Sequence, residues 1–367
     1  MKRVLLLGGG HAHATVLRML IRDPLHNARL TLVTPYDRHS YSGMLPGLVA
    51  GHYALEEVQI DVAGLAKAAG VDVVRATVTH LDAAVRRVTL AGGETLEYDL
   101  ASLNLGSLPN TDLVRGSADY ALPAKPFERF LGGWNDLLAR AASASPRVAL
   151  VGAGAAGVEL AMAIAYRFAT LGRKAQVTLY SDRPMFTPSL ARRVHAALVR
   201  SGVRLREPEA VSALEADGVV VTRAPHATRE RYDAVVWTAG AAPLPWLRTT
   251  GLETDAAGFV LVDEMLRSTS HPEVFAAGDC ATLRDAPHPK SGVYAVRHGD
   301  WLARNLRYAL AEAPLLHRYR PQRRALALIS CGARYAIADW SGLSAEGAWV
   351  WRWKDRVDRG WVRRFVL

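Results

Sequence analysis

Cysteine is almost missing from this chain: its 367 residues include only Cys280 and Cys331, far apart in sequence. Two thiols exclude a zinc cluster and a disulfide framework, and they fit a reducing compartment. Half of the residues are hydrophobic, enough for buried cores without covalent staples. The length suggests two domains, or two plus an appendage. A long uninterrupted apolar run is missing too. Met1-Lys2-Arg3-Val4-Leu5-Leu6-Leu7 meets glycines too early for a signal-peptide core, so no secretory signal is expected. The apolar stretch from Val148 to Tyr166 is broken by Gly152, Gly154, Gly157 and Glu159. That pattern reads as strand, turn and helix rather than a membrane span. Acidic residues are the minority, 35 against 45 Lys and Arg, for a net charge of +10. From His317 to Leu367 there are eleven Lys/Arg and four Asp/Glu. Such a tail suits anionic lipid or an acidic partner, or is a solvated basic surface. No nucleic-acid recognition motif accompanies it.

Glycine, by contrast, is placed with a pattern. Arg3 to Leu7 is a continuous apolar run of the buried parallel-strand kind. Gly8-Gly9-Gly10 follows, then a helical stretch from about Ala12 to Ile21 and a second strand from Leu30 to Val33. Glycines let a backbone approach a pyrophosphate, and the helix N-terminus offers unpaired N–H groups and a positive dipole end. In this first unit His13 stands where a third glycine would fall, and Thr34 stands where an acid would hold a ribose. A second unit is complete. The strand Arg147 to Val151 runs into Gly152-Ala153-Gly154-Ala155-Ala156-Gly157, then an apolar helix from Val158 to Ala169 and a strand from Gln176 to Tyr180. Ser181 occupies its acid position; Asp182 is placed to hold a ribose hydroxyl and Arg183 a 2′-phosphate. NADH and NADPH are therefore both left open. Two units imply two dinucleotides, or a duplicated fold with one site decayed.

Further motifs favour two dinucleotides. Val274 to Asp279 is a strand ending in Gly278-Asp279, where the carboxylate can accept hydrogen bonds from ribityl or ribose hydroxyls. Tyr98-Asp99 leading to Gly106, and Tyr232-Asp233 leading to Gly240, each read as the strand that closes one unit.

Taken in order, these motifs resemble those of the two-dinucleotide flavoprotein oxidoreductases that include type II NADH dehydrogenases and sulfide:quinone reductases. The narrower signatures Gly8-Gly9-Gly10-His11-Ala12-His13, Tyr41 to Gly47, Lys125-Pro126-Phe127 and Gly292 to Arg297 look like the flavoprotein module found fused ahead of selenophosphate synthetase (selenide, water dikinase), here without the kinase half. The resemblance implies an α/β fold with two Rossmann-like domains, FAD in the first and NAD(P)H in the second. The implied FAD domain is discontinuous, 1–110 and 245–315, interrupted by an NAD(P)H domain at 111–244 and followed by a C-terminal α+β region at 316–367. The implied reaction is hydride transfer from nicotinamide to flavin, then oxidation by a quinone or another acceptor.

Candidate cofactor contacts are Gly8, Gly10, His11, Ala12, His13, Thr34, Pro46, Gly106, Gly278, Asp279, Gly292 and Val293 for FAD. Gly152, Gly154, Gly157, Asp182 and Gly240 are the candidates for the nicotinamide dinucleotide. His13 is either a phosphate donor or a packing substitute for glycine. Met44-Leu45-Pro46 is expected to wall the isoalloxazine, and the helix starting near Gly292 to aim its positive end at the flavin. The candidate catalytic residues are Glu159, Lys125 and Tyr294. Glu159 is either an acid at the flavin–nicotinamide contact or a first-turn acid favouring the helix dipole. Lys125 is either a flavin or substrate contact or an exposed lysine. No cysteine precedes Cys280, so electron transfer to a disulfide is excluded. Cys280 itself is a thiol beside the cofactor, for sulfide or selenide chemistry, or a buried small hydrophobe. The glutamines that type II dehydrogenases carry on the flavin-side helix are absent from Gly292 to Arg297, a departure that bears on the quinone. A non-catalytic flavin sensor or scaffold is the alternative outside enzymes.

In the tail, Trp349, Trp353, Val357, Trp361 and Phe365 recur every four residues, beside Arg352, Arg356, Arg359 and Arg363. As a helix this stripe either lies on an anionic membrane surface or packs on the FAD domain or on a second copy in a homodimer. The expected location is the cytoplasm, with peripheral attachment to the inner face of the cell membrane through this segment. Ala325 to Trp340 reads as two short strands around Gly332.

Overall fold

A computed structural model describes residues 1–141, 145–223, 226–314, 317–322 and 325–367. Arg323 and Arg324 of the basic tail lie outside them. Two five-stranded parallel sheets dominate an α/β fold. In the first, Lys2–Leu7 lies between Ala28–Val33 and Leu100–Leu103; Asp72–Val74 forms one edge and Val274–Ala276 the other. In the second, Arg147–Val151 lies between Gln176–Tyr180 and Ala234–Trp237, flanked by Val203–Arg206 and Leu122–Pro123. The central strands are buried on both faces, which is why their sequences are unbroken apolar runs rather than alternating ones. The Val274–Ala276 strand joins the first sheet after the whole second sheet has been made. The chain therefore leaves one layered unit, builds another and returns.

Each central strand ends in a glycine turn and a helix, His11–Arg22 in the first unit and Ala155–Thr170 in the second. The helix Gly292–Leu310 packs against His11–Arg22. Their approach needs Gly299, where a Cβ would stand 2.5 Å from Thr15. Smaller antiparallel sheets decorate both units, and a parallel pair joins Val260–Val262 to Ala281–Leu283.

The C-terminal region is an antiparallel sheet, Ala327–Ser330, Ala336–Trp340 and Leu343–Gly347, capped by the helix Ala348–Arg363. Its third strand, Leu343–Gly347, goes beyond the two expected. The helix also corrects the simplest reading of the tail. Trp349, Trp353 and Val357 do not pack inward; they are 53%, 40% and 48% exposed. The inward positions are Val350, Lys354, Asp358 and Val362. Only Phe365 of the stripe is fully buried, with Trp361 half-buried. Among the described residues, no helix is long and apolar enough to cross a membrane.

Candidate active site

The first glycine turn is built around a residue that sequence reasoning missed. Asn104, buried just past the strand Leu100–Leu103, accepts with Oδ1 from the amides of Ala12 (3.1 Å) and His13 (3.3 Å). Its Nδ2 donates to Ala277 O at 2.8 Å. One side chain thus ties the helix N-terminus to the Gly278-Asp279 turn. Gly8 has φ +94°, and a Cβ there would stand 2.5 Å from Asn104 O. A Cβ on Gly10 would strike the Asn104 amide. Among the described residues, the amides of Gly9, Gly10 and His11 make no hydrogen bond within the chain. They remain as an anion-binding edge at a helix N-terminus.

His13 does not face that edge. It is fully buried, with Nδ1 2.6 Å from Gly8 O and Nε2 2.8 Å from Ser102 Oγ. Both ring nitrogens are spent on protein, and burial pulls its pKa down to about 4. His11 does lie at the edge, its Nδ1 3.2 Å from Nε2 of His39. Burial first, then the neighbouring His39 and Lys125, hold its pKa well below the usual histidine value. Thr34 is buried at the end of the second strand, donating to Tyr36 O at 3.2 Å.

Lys125 and Asp279, widely separated in sequence, meet directly: Nζ is 2.7 Å from Oδ2, and Ser107 Oγ donates to the same oxygen at 3.2 Å. Gly278, at φ +72°, would bring a Cβ within 2.7 Å of Asn104 Nδ2. Gly106 is also left-handed, at φ +73°, with open space around it. The carboxylate, the glycine turn and the free amides suit a dinucleotide with a polyol arm, so these residues fit FAD. Pro46 is buried in the short helix Leu45–Ala50. Gly292 opens the helix Gly292–Leu310, and Val293 is exposed beside it. Tyr294 stacks on His288, with ring centroids 4.2 Å apart.

In the second unit the three fingerprint glycines divide their roles. Gly152, at φ +107°, would place a Cβ 2.8 Å from Ala239 N. A Cβ on Gly157 would strike Gly152 O. Gly154 faces open space, its nearest neighbour Met185 Cε at 4.0 Å. Packing requires the outer two, whereas the middle one leaves room for a pyrophosphate. Gly240 (φ +67°) closes the neighbouring strand against Asn110. Ser181 Oγ turns back to donate to Arg183 O at 2.7 Å, leaving Asp182 exposed.

Where the units meet, Glu159 joins a cluster supplied by the C-terminal helix. Glu159 Oε1 accepts from Ser330 N at 2.8 Å. Lys354, 7% exposed, donates to Gly43 O at 2.9 Å and to Asp358 Oδ2 at 2.7 Å. Burial raises the Glu159 carboxyl against the pull of Lys354, and it raises Asp358 likewise. Burial opposes the Lys354 ammonium, but Asp358 and Glu159 outweigh it and keep it charged. One ammonium facing two carboxyls, with Lys354 and Asp358 buried and Glu159 half-buried, favours retention of a proton by one of the acids.

Both cysteines are free and buried. Cys280 Sγ lies 3.3 Å from Ala277 O and 3.6 Å from Leu103 O. Burial pushes its thiol up, and pushes that of Cys331 up to about 12.

A family model described as pyridine nucleotide-disulphide oxidoreductase matches residues 2–299. The chain is 28% identical to an alternative NAD(P)H-ubiquinone oxidoreductase C1, chloroplastic/mitochondrial, of Arabidopsis thaliana, covering 86% of this chain and 68% of that one. It is also 28% identical to a demethylphylloquinone reductase of Synechocystis, covering 90% and 85%. Among solved structures it is similar in fold to NDH2 from Plasmodium falciparum in complex with NADH, with TM-score 0.82, 14% identity, and 99% and 97% of the two chains covered.

Proposed function

The chain belongs to the pyridine nucleotide-disulphide oxidoreductase family and is an FAD-dependent, NADH dehydrogenase-like oxidoreductase, and within that class we propose that it passes electrons from NAD(P)H to a quinone without a redox disulfide. When bound, FAD supplies hydride acceptance from nicotinamide and electron delivery to the acceptor. The protein's part is to orient, exclude water and manage protons. Gly9, Gly10 and His11 would hold the FAD diphosphate and Asp279 its polyol. Gly154 and the start of the helix Ala155–Thr170 would hold the nicotinamide dinucleotide. The proposed FAD domain is 1–110 with 245–315, and the NAD(P)H domain 111–244. Kinship with the branch fused to selenophosphate synthetase remains a proposal carried by the motifs alone.

What carries the quinone reading is the cluster of half-buried Glu159 with buried Lys354 and Asp358 at the junction of the two units. A quinone needs protons as well as electrons, and this cluster can retain one. The relatives from Arabidopsis and Synechocystis, named for quinone substrates, support the same acceptor despite the absent glutamines. Sulfide or selenide oxidation would need an accessible thiolate, and neither Cys280 nor Cys331 offers one. The exposed Trp349, Trp353 and Val357, with Arg352 and Arg356 alongside, form an interfacial face for an anionic membrane, where lipophilic quinones dissolve. Turnover assays with NADPH or NADH and a panel of quinones test the acceptor. Reduction of none of them, by protein that the nucleotide does reduce, would refute it.

A further inference from the structure

The peptide between Ala277 and Gly278 is held at both ends by buried side chains. Its carbonyl accepts from Asn104 Nδ2 at 2.8 Å, and its N–H donates to Nδ1 of His298 at 2.9 Å. Gly278 then takes φ +72°, and Asp279 follows with its carboxylate 2.7 Å from Lys125 Nζ. Turning a peptide plane whose two polar atoms are both bonded breaks two hydrogen bonds at once. Asn104 and His298 together therefore fix the orientation of that plane, and with it the start of the Asp279 turn.

His298 lies on the helix Gly292–Leu310 and is 1% exposed. To accept from Gly278 N the ring keeps Nδ1 unprotonated, so its proton sits on Nε2. Burial first, then His288 and Lys290, pull its pKa down to about 3 and preserve the neutral form. The rings of Tyr319 and His288 stand edge-on to it, with centroids 4.5 and 5.4 Å away. Among the described residues its Nε2 has no hydrogen-bond partner. An imidazole so placed carries the cost of one unbonded polar atom, which leucine would avoid. What it supplies in return is the acceptor for Gly278 N.

We infer that His298 is a positioning residue for the cofactor: by holding the Ala277–Gly278 peptide it sets the Asp279 carboxylate for the FAD polyol and ties that turn to the helix Gly292–Leu310. This rests on the reading above that Asp279 holds the polyol of FAD. His298 acts through the backbone. Without its Nδ1 the Gly278 N–H is left buried and unbonded, and the plane is held by its carbonyl end alone.

The test measures FAD dissociation constants, from free-flavin fluorescence on dilution of the purified FAD-loaded proteins, for wild type, His298→Leu, His298→Asn and Asp279→Ala. An asparagine Oδ1 takes the place of the imidazole Nδ1, whereas leucine offers no acceptor. His298→Leu is expected to weaken FAD binding at least about 10-fold, the scale for stripping a buried N–H of its partner. It should also alter the visible circular dichroism of the bound flavin. His298→Asn is expected to stay within about 3-fold of wild type, because it restores the acceptor. A leucine variant that holds FAD as tightly as wild type overturns the inference. So does an asparagine variant as weak as the leucine one, since the ring's packing alone would then account for the effect. Should His298→Leu fail to fold, His298→Gln takes its place with the same expectation, because its polar atoms lie one bond further out than Nδ1. Asp279→Ala that retains FAD like wild type overturns the parent reading of Asp279, and the inference with it.

Discussion

Lys354 Nζ lies 2.7 Å from Asp358 Oδ2 on the inward side of the C-terminal helix, while the tryptophans one turn away face outward. This inverts the usual amphipathic arrangement, in which the apolar stripe meets the core. A buried ion pair is a weak source of stability, because desolvation offsets most of the attraction. Its ammonium also donates to Gly43 O at 2.9 Å, which ties the C-terminal helix to the first unit.

Breaking the pair from one side should be costly. Lys354→Met leaves Asp358 buried without its counter-charge and is expected to destabilise the protein by about 3–5 kcal/mol. The double replacement Lys354→Met with Asp358→Leu should recover most of that loss. Denaturant unfolding of the FAD-loaded proteins measures both; equal stability of the single and double variants would contradict the pairing.

Gly157 and Gly154 of the second unit should separate under substitution. Gly157→Ala meets Gly152 O and is expected to cost about 1–3 kcal/mol of stability by overpacking. Gly154→Val enters open space, so stability should hold while the KM for the nicotinamide dinucleotide rises several-fold. Thermal unfolding and steady-state kinetics distinguish them.

Stability should fall on acidification partly through His13. Its pKa drops from 6.5 to about 4 on folding, so the unfolded chain binds the proton more readily. The contribution is complete above pH 6.5 and is lost as pH falls from 6.5 to about 4. Its full size is about 3 kcal/mol by linkage. His13→Asn should flatten the dependence of unfolding free energy on pH across that window; an unchanged slope would show that His13 titrates normally.

The outward tryptophans predict surface binding separable from the fold. Replacing Trp349 and Trp353 by Gln should leave the melting temperature nearly unchanged, since surface changes usually shift stability by under about 0.5 kcal/mol. Sedimentation with anionic vesicles should fall at least several-fold, and binding by the unaltered protein should weaken as salt rises. Equal sedimentation of both proteins would remove this face from membrane attachment.

The fold was legible because its signals are local. Arg147 to Gly157 carries strand, turn and helix in one run, and Lys2–Leu7 with its glycines repeats the pattern. Candidate site positions stood out in the sequence only where a motif marked them, as at Gly154 and Asp279. Asn104 escaped notice because its partners, Ala12 and Ala277, lie far away along the chain and an isolated asparagine has no signature. Lys354 and Asp358 were hidden by the stronger period of the tryptophans beside them. An i, i+4 lysine–aspartate pair opposite that stripe was the available clue. His13 could be read two ways, and only its contacts with Gly8 and Ser102 decide its surroundings. His39, paired with His11, carried no motif at all.

The most direct measurement is anaerobic addition of NADH, and separately NADPH, to the purified yellow protein, following the visible flavin absorbance in a stopped-flow instrument. Rapid bleaching by at least one nucleotide, with color restored on adding a quinone, is the predicted result. A flavin that neither nucleotide reduces at a catalytically useful rate would contradict the proposal that NAD(P)H is the electron donor.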